Sequence, residues 1–154
     1  LTKVFLNAGF ENYVCGDLFT KGYQYPKHVR NMDVLNLPFE DNSFDIVLCN
    51  HVLEHIPNDT GAMKEIFRVL KKRGKAILQV PISKNTNKTF EDFSISDPGQ
   101  REIAFGQFDH VRIYGQDYPN RLASIGFTVN RINISRTYKK YGLNEFEDIF
   151  IGEK

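Results

Sequence analysis

Phe44-Asp45-Ile46-Val47-Leu48-Cys49 is a nearly continuous apolar run bounded by polar residues. Such a run reads as a strand buried on both faces, as in a parallel sheet. The strongest helical pattern in the chain follows it. Asn58 or Asp59 caps that helix just after Pro57. Met63, Ile66, Phe67 and Leu70 then recur at the i, i+3, i+4 and i+7 positions of one face. Lys71, Lys72 and Arg73 fall in the last turn, where the helix dipole favours cations, and Gly74 supplies a left-handed cap. Ala76-Ile77-Leu78-Gln79-Val80 is a second buried strand, stopped by Pro81. Strand, helix and strand make a βαβ unit, which demands a parallel pair and a right-handed crossover.

Working outward, residues 13–17 form a short strand candidate ending in Asp17. Residues 1–8 read as the end of a helix, with Gly9 as the stop. Residues 28–32 are a weak strand followed by Asp33, and residues 37–42 a turn. Beyond Pro81, residues 82–116 are polar, dense in Asn, Thr, Asp and Gln, and without sustained period. A loop this long is uncommon unless it is functional or disordered. Asp117 can cap a short helix through Ile125, closed by Gly126. Residues 127–134 read as a strand, 135–144 as a basic, Tyr-rich connector and 148–151 as a last strand. With no internal repeat, low-complexity tract or linker, residues 1–154 form a single α/β domain. Its expected architecture is Rossmann-like: three layers, a mostly parallel sheet and an antiparallel C-terminal edge pair.

Composition narrows the function classes. The 154 residues are 41% apolar and 25% charged, as in ordinary globular proteins, so disorder is excluded as the main reading. Twenty Lys and Arg against 19 Asp and Glu leave a net charge of +1. That balance argues against an electrostatic grip on nucleic acid or an anionic membrane. The basic runs at residues 71–73 and 136–140 read as solvated faces. No apolar run approaches the ~20 residues that span a bilayer, and no signal peptide opens the chain. Both cysteines, Cys15 and Cys49, lie in expected strands and read as reduced core thiols of a cytoplasmic protein.

The stretch from Asp33-Val34-Leu35-Asn36-Leu37-Pro38-Phe39-Glu40-Asp41-Asn42-Ser43-Phe44 to Asp45-Ile46-Val47 resembles class I methyltransferases that use S-adenosylmethionine (AdoMet). The match continues through Asn50-His51-Val52-Leu53-Glu54-His55-Ile56-Pro57 and Glu65-Ile66-Phe67-Arg68-Val69-Leu70-Lys71 to Gly74. The nearest group is the type 11 kind, and the resemblance covers roughly residues 13–81. It implies the class I methyltransferase fold, with ligands beyond the carboxyl ends of the strands. It further implies that Asp17 takes the ribose hydroxyls of AdoMet, that Asp33 faces the adenine amino group and that Val34 packs on the ring. Asn50 and His51 then border the methionine end. The implied activity is methyl transfer to a small-molecule acceptor. The runner-up is a catalytically inactive methyltransferase-like domain serving as a binding or assembly module.

One departure matters. The family opens with a strand and an acid-x-Gly-x-Gly turn, and no such turn stands in this sequence. Since the first residue is Leu1, the expectation is an N-terminally truncated form with impaired cofactor binding. Such a form also lacks the strand between the family's second and fourth. Its sheet then needs the missing residues, a reattachment of the second and third strands beside the fourth, or a homodimer with exchanged elements.

Two further features bear on chemistry. His51-Val52-Leu53-Glu54-His55 has the His-x-x-Glu-His spacing of inverted zinc proteases. Its place after a buried strand and before Pro57 argues against the long helix that motif needs, so no metal ligand set is assigned. Residues 82–116 are expected to cover the acceptor. Within them Arg101, Arg112 and Tyr114 are the candidate substrate contacts, suited to a polar or anionic group. His110 and His51 are the candidate bases, because histidine titrates near neutrality.

Overall fold

The computed structural model describes residues 2–10, 12–145 and 147–154. Leu1, at the start of the expected first helix, lies outside them. The elements run α1 (Thr2–Asn7), β1 (Cys15–Asp17), β2 (Val29–Asn31), β3 (Phe44–Asn50), α2 (Asp59–Val69) and β4 (Leu70–Gln79). Then come β5 (Phe90–Glu91), α3 (Pro98–Phe105), β6 (Arg112–Ile113), α4 (Tyr118–Ala123), β7 (Thr128–Ile132) and β8 (Ile149–Glu153). Single 3₁₀ turns occupy Leu53–His55 and Lys139–Tyr141.

The βαβ unit forms as its apolar periods dictate. β3 and β4 are parallel neighbours, registered from Ile46 opposite Lys75 to Asn50 opposite Gln79. The principal sheet has the order β3-β4-β8-β7, in which β8 pairs antiparallel with both β4 and β7. β1 and β2 form a separate parallel pair, and so do not reattach beside β3. One expectation about β3 is corrected. It is not buried on both faces: Ile46 is 57% exposed, although Cys49 near its end is 7% exposed. The physical reason is its position, since among the described residues β3 pairs only with β4 and its other edge has no strand.

Asn58 is the cap of α2, its Oδ1 accepting from the Gly61 amide at 3.0 Å. Ala62, Met63, Ile66 and Val69 of α2 are buried in the core with Leu78, Tyr114, Tyr118, Leu122 and Phe150. The helix ends at Val69, so Lys71–Arg73 do not form its last turn. The left-handed residue is Arg73, at φ 66°, and not Gly74. Backbone pairing decides this. The Arg73 amide donates to the Lys154 carbonyl and the Lys154 amide to the Gly74 carbonyl, which ties the turn to the end of β8. Gly74 serves close approach instead: a Cβ there would stand 2.8 Å from the Lys71 carbonyl oxygen.

Glu65 and Arg68 explain part of the family-like pattern. Arg68 donates to the carbonyls of Phe39 and Leu37 and to Asp41, while Glu65 accepts from the Leu37 amide. The pair thereby holds the 37–41 turn against α2. The Arg68 hydrogen bond, aided by that amide, keeps the Glu65 carboxyl below its usual range despite some desolvation. A carboxyl depressed in the folded state stabilises above its unfolded pKa and stops doing so as pH falls through the folded value. The thermal midpoint of the chain should therefore fall on acidification below about pH 4.3. Glu65→Gln should lower the midpoint at pH 7 and flatten that acid limb. Parallel melts at pH 7 and pH 3.5 check this, and equal acid losses in both proteins would count against it.

Residues 82–116 are not a structureless loop. They contain β5, α3 and β6, with Asp97 capping α3 at the Gln100 amide and Gly106 closing it at φ 84°. Asp117 precedes α4 but its side chain does not cap it; Oδ1 accepts instead from the Thr89 amide and hydroxyl. No helix among the described residues is long and apolar enough to cross a membrane.

Candidate active site

The carboxyl ends of the parallel strands gather polar residues. Asp17 ends β1 and is exposed. Because β1 and β2 are parallel, with Asp17 opposite Asn31, Asp33 lies beyond the same end of that pair. One Asp33 oxygen already accepts from the Leu35 amide at 2.8 Å, leaving the other available. Val34 is partly buried and packs against the hydrophobic core, which joins this end to the principal sheet.

Asn50 ends β3 and is exposed. The ladder runs one residue further, with the His51 amide donating to the Gln79 carbonyl at 2.8 Å. His51 then adopts φ 55°, a left-handed conformation uncommon outside glycine and enriched at functional sites. This turns the chain out of the sheet and into the 3₁₀ turn Leu53–His55. The Val111 amide donates to the Glu54 carbonyl at 3.0 Å, drawing the 110–112 segment onto that turn. A cavity of about 200 Å³ opens here, lined by Glu54, Ile82, Ser83, Phe105 and His110 among others. The structure thus brings Asn50, His51 and His110 to one corner of the fold.

It does not bring the expected substrate contacts there as free groups. Arg112 is 1% exposed. It borders the cavity, but its donors go to the Leu53, Ile56 and Pro57 carbonyls and to Glu91, at 2.6–2.9 Å. Tyr114 is fully buried and donates to Asp59 Oδ2 at 2.7 Å. Burial, and then the charge of Asp59, push its hydroxyl pKa up, so it remains a donor. Arg121 completes the network, reaching Asp59 Oδ1 at 2.6 Å and Glu91 Oε2 at 3.1 Å. Two guanidiniums and two carboxylates thus offset one another, the condition on which buried charge is tolerated. Arg101 sits on α3 and donates through Nε to the Ile95 carbonyl. The pairing of Asp59, Glu91 and Arg121 in this network had no sequence signal, since their partners lie 21 or more positions away. Cys49, near the end of β3, is a buried thiol whose pKa is pushed up to about 12 by burial and by Glu54.

The comparisons bear on this end of the sheet. Residues 3–78 match the profile of the methyltransferase domain family. That match takes in just under half of the chain. S-adenosylmethionine is the cofactor that the family indicates. An uncharacterized protein of Methanocaldococcus jannaschii is 47% identical over 66 residues, 41% of this chain and 28% of that protein. Demethylmenaquinone methyltransferase of Staphylococcus haemolyticus is 36% identical over 83 residues, 47% of this chain and 35% of that enzyme. The matched region thus spans about a third of each relative's length. Among solved structures, the 1,6-didemethyltoxoflavin-N1-methyltransferase of Burkholderia thailandensis aligns with a TM-score of 0.65. It is 19% identical, covering 99% of this chain and 65% of that one, and was solved with S-adenosylhomocysteine bound. At that identity the likeness speaks for the fold alone. The architecture is the class I methyltransferase fold, and the four-stranded sheet holds its parallel βαβ core and its antiparallel edge.

Proposed function

We propose that the protein transfers a methyl group from AdoMet to a small-molecule acceptor at the carboxyl ends of β1–β4. One observation carries this reading. The family match at residues 3–78 takes in the strands whose carboxyl ends carry Asp17, Asp33, Asn50 and His51. The residues suit the cofactor. Asp17 offers an exposed carboxylate for a ribose diol, and the unused oxygen of Asp33 can accept from the adenine amino group. Val34 positions that turn through its packing on the core. Asn50 and the strained His51 border the methionine end. When bound, AdoMet supplies an electrophilic methyl on a sulfonium, which the acceptor's lone pair displaces in line as S-adenosylhomocysteine leaves. The chain's own part is to align the acceptor and exclude water. His110, in the cavity wall, or His51, beside Glu54, takes the acceptor's proton where it has one to lose. Demethylmenaquinone and 1,6-didemethyltoxoflavin, named in the enzymes similar to this chain, support a small-molecule acceptor. Arg112, Tyr114 and Arg101 are assigned to holding residues 82–116 in place around it. The two free thiols fit a reducing compartment such as the cytoplasm.

A second reading is a catalytically inactive methyltransferase-like domain serving as a binding or assembly module. Calorimetric titration with S-adenosylhomocysteine separates the two. The first expects saturable binding with one site per chain. Absence of heat at millimolar ligand would favour the second.

A further inference from the structure

The geometry points to a divalent transition-metal site formed by Glu54, His55 and His110, one that does not depend on the methyl-transfer reading. A ligand atom from each of the three lies within 4.8 Å of the other two. Tetrahedral zinc ligands at about 2.0–2.1 Å from the ion stand roughly 3.4 Å apart, so side-chain rotations suffice to close the set.

Three independent observations single this cluster out. The first is an unpartnered buried charge. Glu54 is 2% exposed, and its Oε2 has no hydrogen-bond partner among the described residues. An isolated buried carboxylate is costly unless paired or coordinated to a metal. Arg112 does not pair with it, because its donors go to Glu91 and to three carbonyls. The groups close to Glu54 Oε1 are imidazoles: His51 Nδ1 at 3.4 Å and His55 Nε2 at 4.0 Å.

The second is the orientation of His55. Its Nδ1 lies 3.3 Å from Asp109 Oδ2, while Nε2 is turned toward Glu54. A carboxylate on one ring nitrogen, with the other left for the ion, is the arrangement that fixes the tautomer of metal-binding histidines. The His110 ring stands edge-on to His55, with centroids 4.7 Å apart, and lines the cavity beside Glu54.

The third is rigidity. The Val111 amide bonds the Glu54 carbonyl, and Arg112 bonds the carbonyls of Leu53, Ile56 and Pro57. The segment carrying His110 is therefore laced to the turn carrying Glu54 and His55. The His-x-x-Glu-His spacing takes part in a way unlike that of the proteases. Glu54 and His55 of the motif lie in a single 3₁₀ turn, His51 stands before it, and the second histidine ligand comes from a distant segment. Two imidazoles and one carboxylate suit zinc, cobalt, iron or manganese, whereas magnesium prefers oxygen ligands and bound water. Three protein ligands leave coordination positions open beside the cavity.

The test is calorimetric titration of the chelator-treated chain with zinc chloride, with cobalt(II) visible absorption as a second readout. One equivalent should bind with micromolar affinity or better, with d–d bands developing to the same endpoint. His55→Ala and His110→Ala should each weaken binding at least 100-fold, and Asp109→Asn about tenfold. His28→Ala, which alters an exposed histidine before β2, should leave binding unchanged. Circular dichroism establishes that each variant is folded. Should an alanine variant not fold, Glu54→Gln and Asp109→Asn supply the same comparison. No stoichiometric binding, or binding that the folded variants retain at full strength, would overturn the assignment. S-Adenosylhomocysteine is absent from every measurement, so the outcome is separate from that of the cofactor titration.

Discussion

Arg112→Ala is expected to destabilise the protein by about 3–5 kcal/mol, the cost of removing one partner from a buried ionic network. The guanidinium is the hub through which residues 82–116 hold the Leu53–His55 turn. Without it the carbonyls of Leu53, Ile56 and Pro57 each lose a donor, and among the described residues Glu91 keeps only Arg121. For a chain of this length the thermal midpoint should fall by roughly 10 °C. Arg112→Lys should recover little, because an ammonium cannot reproduce the planar fork that reaches Glu91 and the three carbonyls together. Urea denaturation monitored by circular dichroism gives the free energy. A loss under about 1 kcal/mol, the range of exposed ion pairs, would show that the network is not the clamp its geometry suggests.

Asp17→Ala should weaken S-adenosylhomocysteine binding about 100-fold while leaving stability nearly untouched. Two hydrogen bonds from a ribose diol to a carboxylate, at roughly 1.5–3 kcal/mol each, account for a loss of that order. The fold should not suffer. Asp17 is exposed, and the hydrogen bond that holds it in place uses its backbone carbonyl, which accepts from the Met32 amide. Asp17→Asn should fall between. Asp33→Ala should cost less in affinity, about tenfold, and more in stability, because its Oδ1 also closes the turn at Leu35. Titrations of the variants beside the unaltered chain read these differences. Equal affinity in Asp17→Ala would remove Asp17 from the cofactor site.

What the sequence disclosed follows from how locally each signal is written. The apolar run at residues 44–49, the helical period from Met63 to Leu70 and the run at 76–80 are contiguous, and they produce β3, α2 and β4 in parallel register. Residues 128–132 and 149–153 pair antiparallel at the far side, as their apolar content suggests. The strand ends bearing Asp17, Asp33 and Asn50 were equally readable. Elsewhere longer-range partners decided. The burial of β3 depends on what lies beside it, which a pattern of apolar residues does not state. Arg112 and Tyr114 carry polar groups that look suited to a ligand, yet Glu91, Asp59 and three backbone carbonyls claim them from positions far along the chain. The helix at Pro98–Phe105 was a missed local signal. Asp97-Pro98 and Gly106 are a cap, a first-turn proline and a left-handed stop around a stretch too short to show a period.

The placement of β8 has a consequence for biosynthesis. The strand Ile149–Glu153, about 70 residues beyond β4, lies inside the sheet, between β4 and β7, and Lys154 Nζ then bonds the carbonyls of Arg68 and Leu70. While a ribosome is still adding residues 81–148, β3 and β4 can pair, but the far edge of β4 has nothing to bind. The nascent chain therefore carries an open apolar strand edge for as long as those residues take to be made, and closes it only once residues 149–153 clear the exit tunnel. Such late, sequence-distant pairing slows folding and leaves an interval in which aggregation or chaperone capture competes.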